Sequence, residues 1–291
     1  MAMLSDMGVP IETVNFHLWQ PCNMRCRFCF ATFRDVRNSV LPEGHLPEQD
    51  ARRVVALLAE AGFTKITFAG GEPLLCPWIA DLIRLAKSCG LTTALVTNGS
   101  LLSTQKLEDL GGALDWATIS VDSVSAMTLN TIGRVTAGTP ADECHYLSLC
   151  HRIKEAGVHL KINTVVTAAN RFEDLTSFII AARPERWKIL QALPVSGQNS
   201  GKVESLLITP EQFEQFVRRS VRVETHGITV VPEDNHAMRG SYAMLDPAGR
   251  FFDAVGHGYT YSKSVLQVGV ARAIAQVRID RAKFLARGGL Y

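Results

Sequence analysis

Short apolar and β-branched runs at 14–18, 65–69, 93–97, 116–121, 160–166 and 187–193 alternate with segments whose apolar positions recur at helical spacing. That alternation predicts βα units on a parallel sheet. In 48–61, Val54, Leu57, Leu58 and Ala61 stand at i, i+3, i+4 and i+7, and in 142–156 Tyr146, Leu149, Cys150 and Ile153 repeat the spacing. Gly62 and Gly157 follow as stops, since glycine takes the left-handed conformation that ends a helix. After 193 the alternation gives way to a Gly/Ser-containing loop at 196–201, a helix near 210–220 and an irregular tail. The reading is α/β: a partial (β/α)6 barrel over 12–195 and a C-terminal extension over 196–291 that closes the site. Six units are fewer than the eight of a closed barrel, whose site lies at the C-terminal ends of its strands.

Parallel strands buried on both faces read as continuous apolar runs, so polar residues at period two within them need a reason. Lys65 and Thr67 share a face, as do Thr118, Ser120 and Asp122, then Lys161 and Asn163, then Arg186 and Lys188. Ile66, Phe68, Ile119, Val121, Ile162 and Ile189 take the other face, under the helices. The lumen is therefore expected to be polar and cationic. Buried cations repel unless an anion joins them, and a polyphosphate is the natural candidate. The alternative is that Lys65, Lys161 and Arg186, at strand starts, extend their charges to solvent.

Composition narrows the picture little. Hydrophobic residues at 47% and charged residues at 20% fit a globular protein with a sizeable core. A formal charge of +2, without a long basic run, gives no reason to expect nucleic acid or a membrane surface. Met1–Pro10 lacks a leader pattern and no long uninterrupted apolar stretch follows, so a cytoplasmic location is expected. The seven cysteines are odd in number, and three crowd into Cys22–Cys29, which suits metal ligation better than disulfides. Cys89 and Cys150 fall in apolar helical patterns and are expected in the core.

The stretch CNMRCRFC spaces its cysteines as C-x3-C-x2-C directly after the first strand, at the end where the site should be. Three thiolates can hold three irons of a four-iron cluster and leave the fourth open, whereas electron-transfer clusters use four cysteines. Structural zinc also wants four ligands, usually as two pairs, and no second pair occurs. Cys76 as a fourth ligand lies a strand and a helix away.

These cysteines, with an aromatic before the last, and Gly70-Gly71-Glu72-Pro73 closing the second strand resemble the radical S-adenosylmethionine superfamily. From about residue 12 to the end the chain is similar to one family within it, the viperin-type antiviral nucleotide dehydratases. The stretches that carry this likeness are CNMRCRFCF, KITFAGGEPLL, ISVDS followed by IGR, LKINTVV, RWKILQAL, SGQNSG, Gly240-Ser241-Tyr242 and FLARGGLY.

The resemblance implies a 4Fe-4S cluster on Cys22, Cys26 and Cys29. It implies S-adenosylmethionine against Gly70, Gly71, Glu72, Asn98, Ser120 and Arg134. A nucleoside triphosphate would lie on Lys65, Lys161, Asn163, Arg186 and Lys188, with Tyr242 at the ribose and Arg287 folding the tail over it. Tyr242 and Lys188 would serve catalysis, Tyr242 as a proton source. The family reaction, fed by an electron-donor protein not identifiable from sequence, removes the ribose 4′ hydrogen by a 5′-deoxyadenosyl radical and loses the 3′ hydroxyl as water. The product is a 3′-deoxy-3′,4′-didehydro nucleotide that terminates viral chains.

Two departures stand out. Vertebrate relatives carry an N-terminal amphipathic membrane helix, and because the catalytic region is met almost at the start of this sequence, membrane residence is not carried over as an expectation. Pro247–Ser264 differs where the base should be read, leaving CTP, UTP and GTP open. Rival readings are a radical enzyme acting on a peptide or other small molecule, or a non-catalytic iron–sulfur sensor. The first usually adds C-terminal cysteines, and none follows Cys150.

Overall fold

The computed structural model describes residues 9–289, so most of the Met1–Pro10 reading and the last two residues of FLARGGLY lie outside the described residues. Six parallel strands stand where the apolar runs place them: β1 Thr13–Trp19, β2 Lys65–Gly70, β3 Thr92–Thr97, β4 Trp116–Ser120, β5 His159–Val166 and β6 Arg186–Gln191. The helices read from sequence are Glu48–Glu60, Glu143–Glu155 and Pro210–Ser220. Gly62 and Gly157 follow the first two at φ of +94° and +73°. Pro210–Ser220 opens on a reciprocal cap between Thr209 and Gln212.

The sheet does not end near 193. β7 Thr229–Glu233 continues it in parallel beside β6, while β8 Ala243–Leu245 pairs in parallel with β1 on the opposite flank. Antiparallel β9 Arg250–Asp253 and β10 Thr260–Ser264 complete an open row of ten, ordered β10-β9-β8-β1-β2-β3-β4-β5-β6-β7. The stretch expected to be an irregular tail thus extends both edges of the partial barrel. Pro232 hides β7 in the sequence, because proline reads as a strand breaker and is tolerated only at an edge such as this one.

Register fixes the faces. Thr118 pairs with Lys161 and Lys161 with Arg186; Ser120 pairs with Asn163 and Asn163 with Lys188. The polar residues therefore stand in rows on one side of the sheet. On the other side Ile119, Ile162 and Trp187 form a fully buried row under the helices. Cys150 is buried there as expected, but Cys89 is exposed, because the helix Ile79–Ser88 has ended before its apolar stripe reaches it. No helix among the described residues is long and apolar enough to cross a membrane.

Candidate active site

The polar face encloses a cavity of about 710 Å³ that runs from the strand starts at Thr13, Lys65 and Lys161 to the cysteine loop beyond the C-terminal end of β1. Cys22, Cys26 and Cys29 line it, as do Gly70, Gly71, Asn98, Ser120, Arg134, Lys65, Lys161, Asn163, Lys188, Tyr242 and Arg287. Two residues expected there do not line it. Glu72 is wholly buried, and its oxygens accept from Thr97 Oγ1 at 2.7 Å, Asn98 N at 2.8 Å and Leu74 N at 3.1 Å. Burial raises its carboxyl pKa, and these donors oppose the rise. Arg186, at the start of its strand, turns to the tail and donates to the Gly288 carbonyl at 3.1 Å.

Gly70 and Gly71 have a reason that the sequence did not show. A Cβ on Gly70 would stand 2.3 Å from Trp19 O, and one on Gly71 2.3 Å from Gln20 O and 2.4 Å from Pro21 O. The missing side chains let the end of β2 abut the segment that leads into the cysteine loop, where Glu72 N donates to Pro21 O at 2.9 Å. Because these contacts are backbone to backbone, neither side can yield. Gly71→Ala is expected to cost about 1–3 kcal/mol, seen as a lowered midpoint in chemical unfolding.

The cysteine loop is held from both ends. Arg27 N donates to Ile132 O at 2.8 Å, and Asn199 Nδ2 donates to Phe28 O at 3.0 Å. Gln198 Oε1 accepts from Thr32 Oγ1 at 2.7 Å and from Phe33 N at 2.8 Å. This contact steadies Phe33, whose φ of +44° is unfavourable for a non-glycine residue. The stretch SGQNSG is thus the clamp on this loop.

Burial, and then the neighbouring Cys26 and Cys22, push the Cys29 thiol up to about 12. Three thiols crowded in this way favour ionisation only when a cation group joins them. Among the described residues no three His, Cys, Asp or Glu side chains converge as one metal ion needs. A four-iron cluster suits this set better than zinc, because each cysteine then meets a different iron. Cys76 is buried in the core away from the cavity, which closes it as a fourth ligand.

Beside the cysteines, Arg134 donates through Nε to Asp122, and its guanidinium lies 5.6 Å from the Phe28 ring centroid. Burial works against its charge, but Asp122 outweighs it and holds Arg134 ionised. Its terminal nitrogens make no hydrogen bond among the described residues. Asn98 Nδ2 donates to Asn23 Oδ1 at 2.8 Å, tying the end of β3 to the cysteine loop.

Farther along the sheet the cations meet an anion that the sequence reading missed. Glu233 on β7 is fully buried, with Lys188 Nζ at 2.5 Å and Arg287 Nη1 at 3.4 Å. Tyr242 Oη donates to Glu233 and accepts from Lys188, while the Arg287 guanidinium stacks 3.7 Å from the Tyr242 ring centroid. One carboxylate thus serves several cations. Burial pulls Lys161 down to about 7 and lowers Lys188 as well, with Glu233 opposing both shifts. The period-two row Thr229, Val231, Glu233 was the available signal, broken to the eye by Pro232.

Residues 19–178, more than half the chain, match the model of the radical SAM superfamily. The chain belongs to that superfamily. Within this radical SAM group it is 50% identical over 282 residues to an S-adenosylmethionine-dependent nucleotide dehydratase of Lacinutrix mariniflava, covering 97% of this chain and 58% of that protein. It is 47% identical over 281 residues to the protein of the same name from Flammeovirga pacifica, covering 97% and 96%. The radical SAM chain is therefore a member of the nucleotide dehydratase family. The crystal structure of Streptococcus suis SuiB bound to S-adenosylmethionine shares the fold, with a TM-score of 0.65 at 16% identity over 82% of this chain and 59% of that one.

Proposed function

We propose that this protein is a radical S-adenosylmethionine dehydratase that removes water from a nucleoside triphosphate, CTP, UTP or GTP, to give the 3′-deoxy-3′,4′-didehydro analogue. One observation carries the reading: a single cavity joins three clustered thiols at one side to a buried cationic group at the other. Peptide substrates give no reason for Lys65, Lys161, Lys188 and Arg287 to share that space.

Cys22, Cys26 and Cys29 would hold a 4Fe-4S cluster, which with S-adenosylmethionine supplies the radical that takes the ribose 4′ hydrogen. The free edge of Arg134 matches the bidentate demand of a carboxylate, here that of the cofactor's methionine part. Gly70, Gly71, Asn98 and Ser120 line the adjoining wall, and Glu72 acts from behind it by holding Asn98 N. Lys65, Lys161, Lys188 and Arg287 neutralise the triphosphate, Asn163 faces the ribose, and Arg186 fastens the tail through Gly288.

Tyr242, held between Lys188 and Glu233, donates the proton that leaves with the 3′ hydroxyl, and Lys188 keeps that hydroxyl polarised. One further electron, delivered through a donor protein, completes the balance. A product without a 3′ hydroxyl cannot accept the next nucleotide, which gives it the action of a chain terminator against a viral polymerase. The test is anaerobic: the reconstituted protein receives dithionite, S-adenosylmethionine and each triphosphate in turn. Formation of 5′-deoxyadenosine together with a nucleotide lighter by one water supports the reading. Formation of 5′-deoxyadenosine with every triphosphate unchanged overturns it in favour of another substrate.

A further inference from the structure

The helix Ala126–Ile132 ends on the cysteine loop: besides the Arg27 to Ile132 bond, a Cβ on Gly133 would stand 2.5 Å from Arg25 O. Its outer side presents Met127, 78% exposed, and the loop after β5 presents Phe172, 73% exposed, the two most exposed large hydrophobics among the described residues. The segments that carry them meet, because Thr128 Oγ1, next to Met127, donates to Glu173 Oε1, next to Phe172, at 2.5 Å.

Cations surround this patch. The Arg171 guanidinium lies 4.1 Å from the Phe172 ring centroid. Arg27 reaches Thr131 O at 3.2 Å and Ser205 Oγ at 2.8 Å, and Arg25, exposed and packed through its backbone on Gly133, stands two residues before it; both arginines also line the rim of the cavity. None of these three is ion-paired among the described residues. The local carboxylates are already engaged: Glu173 with Ser123 and Thr128, Asp174 with Arg222, Glu204 with Gly201 N.

An apolar spot ringed by unpaired charge of one sign is the mark of a protein-docking surface, and its complement is an acidic protein with an apolar contact of its own. Arg25 and Arg27 bracket Cys26, so a partner seated here stands against the loop of thiols. We propose that this face docks an acidic one-electron carrier protein, a low-potential flavin or iron–sulfur protein; the inference rests on the cluster reading above. At each encounter the carrier is oxidised by one electron and the cluster is reduced by one, with no atom changing hands.

The test compares the reconstituted enzyme with its Met127→Glu/Phe172→Glu double variant, using flavodoxin, an acidic flavin carrier, as the probe. Both changes are at exposed positions outside the cavity, and an unchanged unfolding midpoint confirms the fold. Expected results are a calorimetric affinity for flavodoxin that weakens with added salt and falls by about tenfold or more in the variant. The rate of 5′-deoxyadenosine formation falls likewise when flavodoxin is the donor and stays unchanged with dithionite. Equal affinities for flavodoxin in the two proteins overturn the proposal, as does a parallel loss with dithionite. So does concentration-dependent self-association that the variant abolishes, which assigns the patch to a second copy. Absence of 5′-deoxyadenosine from the unmodified enzyme with dithionite sinks the cluster reading instead, and the affinity comparison still decides the docking surface.

Discussion

Glu233→Gln is expected to lower the folding free energy of the nucleotide-free protein by about 3–5 kcal/mol, the range for breaking a buried ion pair from one side. Glutamine keeps the volume and a hydrogen-bond acceptor but removes the charge that Lys188 and Arg287 share in this corner. Lys188 can shed its proton in response; Arg287 cannot, because a guanidinium stays ionised. Urea unfolding measures the loss directly. The control is Tyr242→Phe, which deletes hydrogen bonds and leaves the charges, and is expected to cost about 1 kcal/mol. A saturating triphosphate should return more stability to the glutamine variant than to the parent, since it supplies the missing anion. A loss under about 1 kcal/mol for Glu233→Gln, or equal rescue of the two proteins, contradicts this account of the cavity.

Triphosphate affinity should weaken as pH rises above about 7, by up to about tenfold per pH unit for each lysine that must gain a proton. Lys161 is brought to about 7 by burial, so in the empty cavity it is largely neutral above that point. A bound polyphosphate raises it again, and binding therefore takes up protons. Below about 7 the lysine is already charged and the slope flattens. The sign for stability is opposite. A lysine with a lowered folded-state value destabilises the empty protein fully below about 7, and that cost disappears as pH rises through the ordinary lysine range. Calorimetry in buffers of different ionisation enthalpy counts the protons directly. A flat affinity between pH 7 and 8.5 with no proton uptake refutes the role given to Lys161.

What was legible in the sequence follows from the range over which each signal acts. β1 to β6 and the helices between them repeat a local rhythm long enough to read, and the cysteine spacing carries its chemistry within eight residues. β8 has only three residues and is a strand because β1, about 230 positions earlier, offers it an edge. Such a pairing leaves no period to detect. Lys188 was legible as a buried cation because it interrupts an apolar strand, but its partner was not, since β7 carries Pro232 and joins the sheet only as its outermost strand. The Arg134 and Asp122 pair shows the same limit: Asp122 ended a polar row that could be seen, while the helix return that brings Arg134 onto it could not.

The order of strands also sets an order in time. The cysteine loop leaves the ribosome early, whereas Glu233, Tyr242, β8 and Arg287, which complete the cationic end of the cavity and the far flank of β1, are among the last parts made. Until β8 has been made, β1 lacks the neighbour that covers its outer edge. The cysteine loop thus precedes in synthesis the residues that complete the cationic end of its cavity, and a chain cut short before β7 carries the thiols without Glu233, Tyr242 or Arg287.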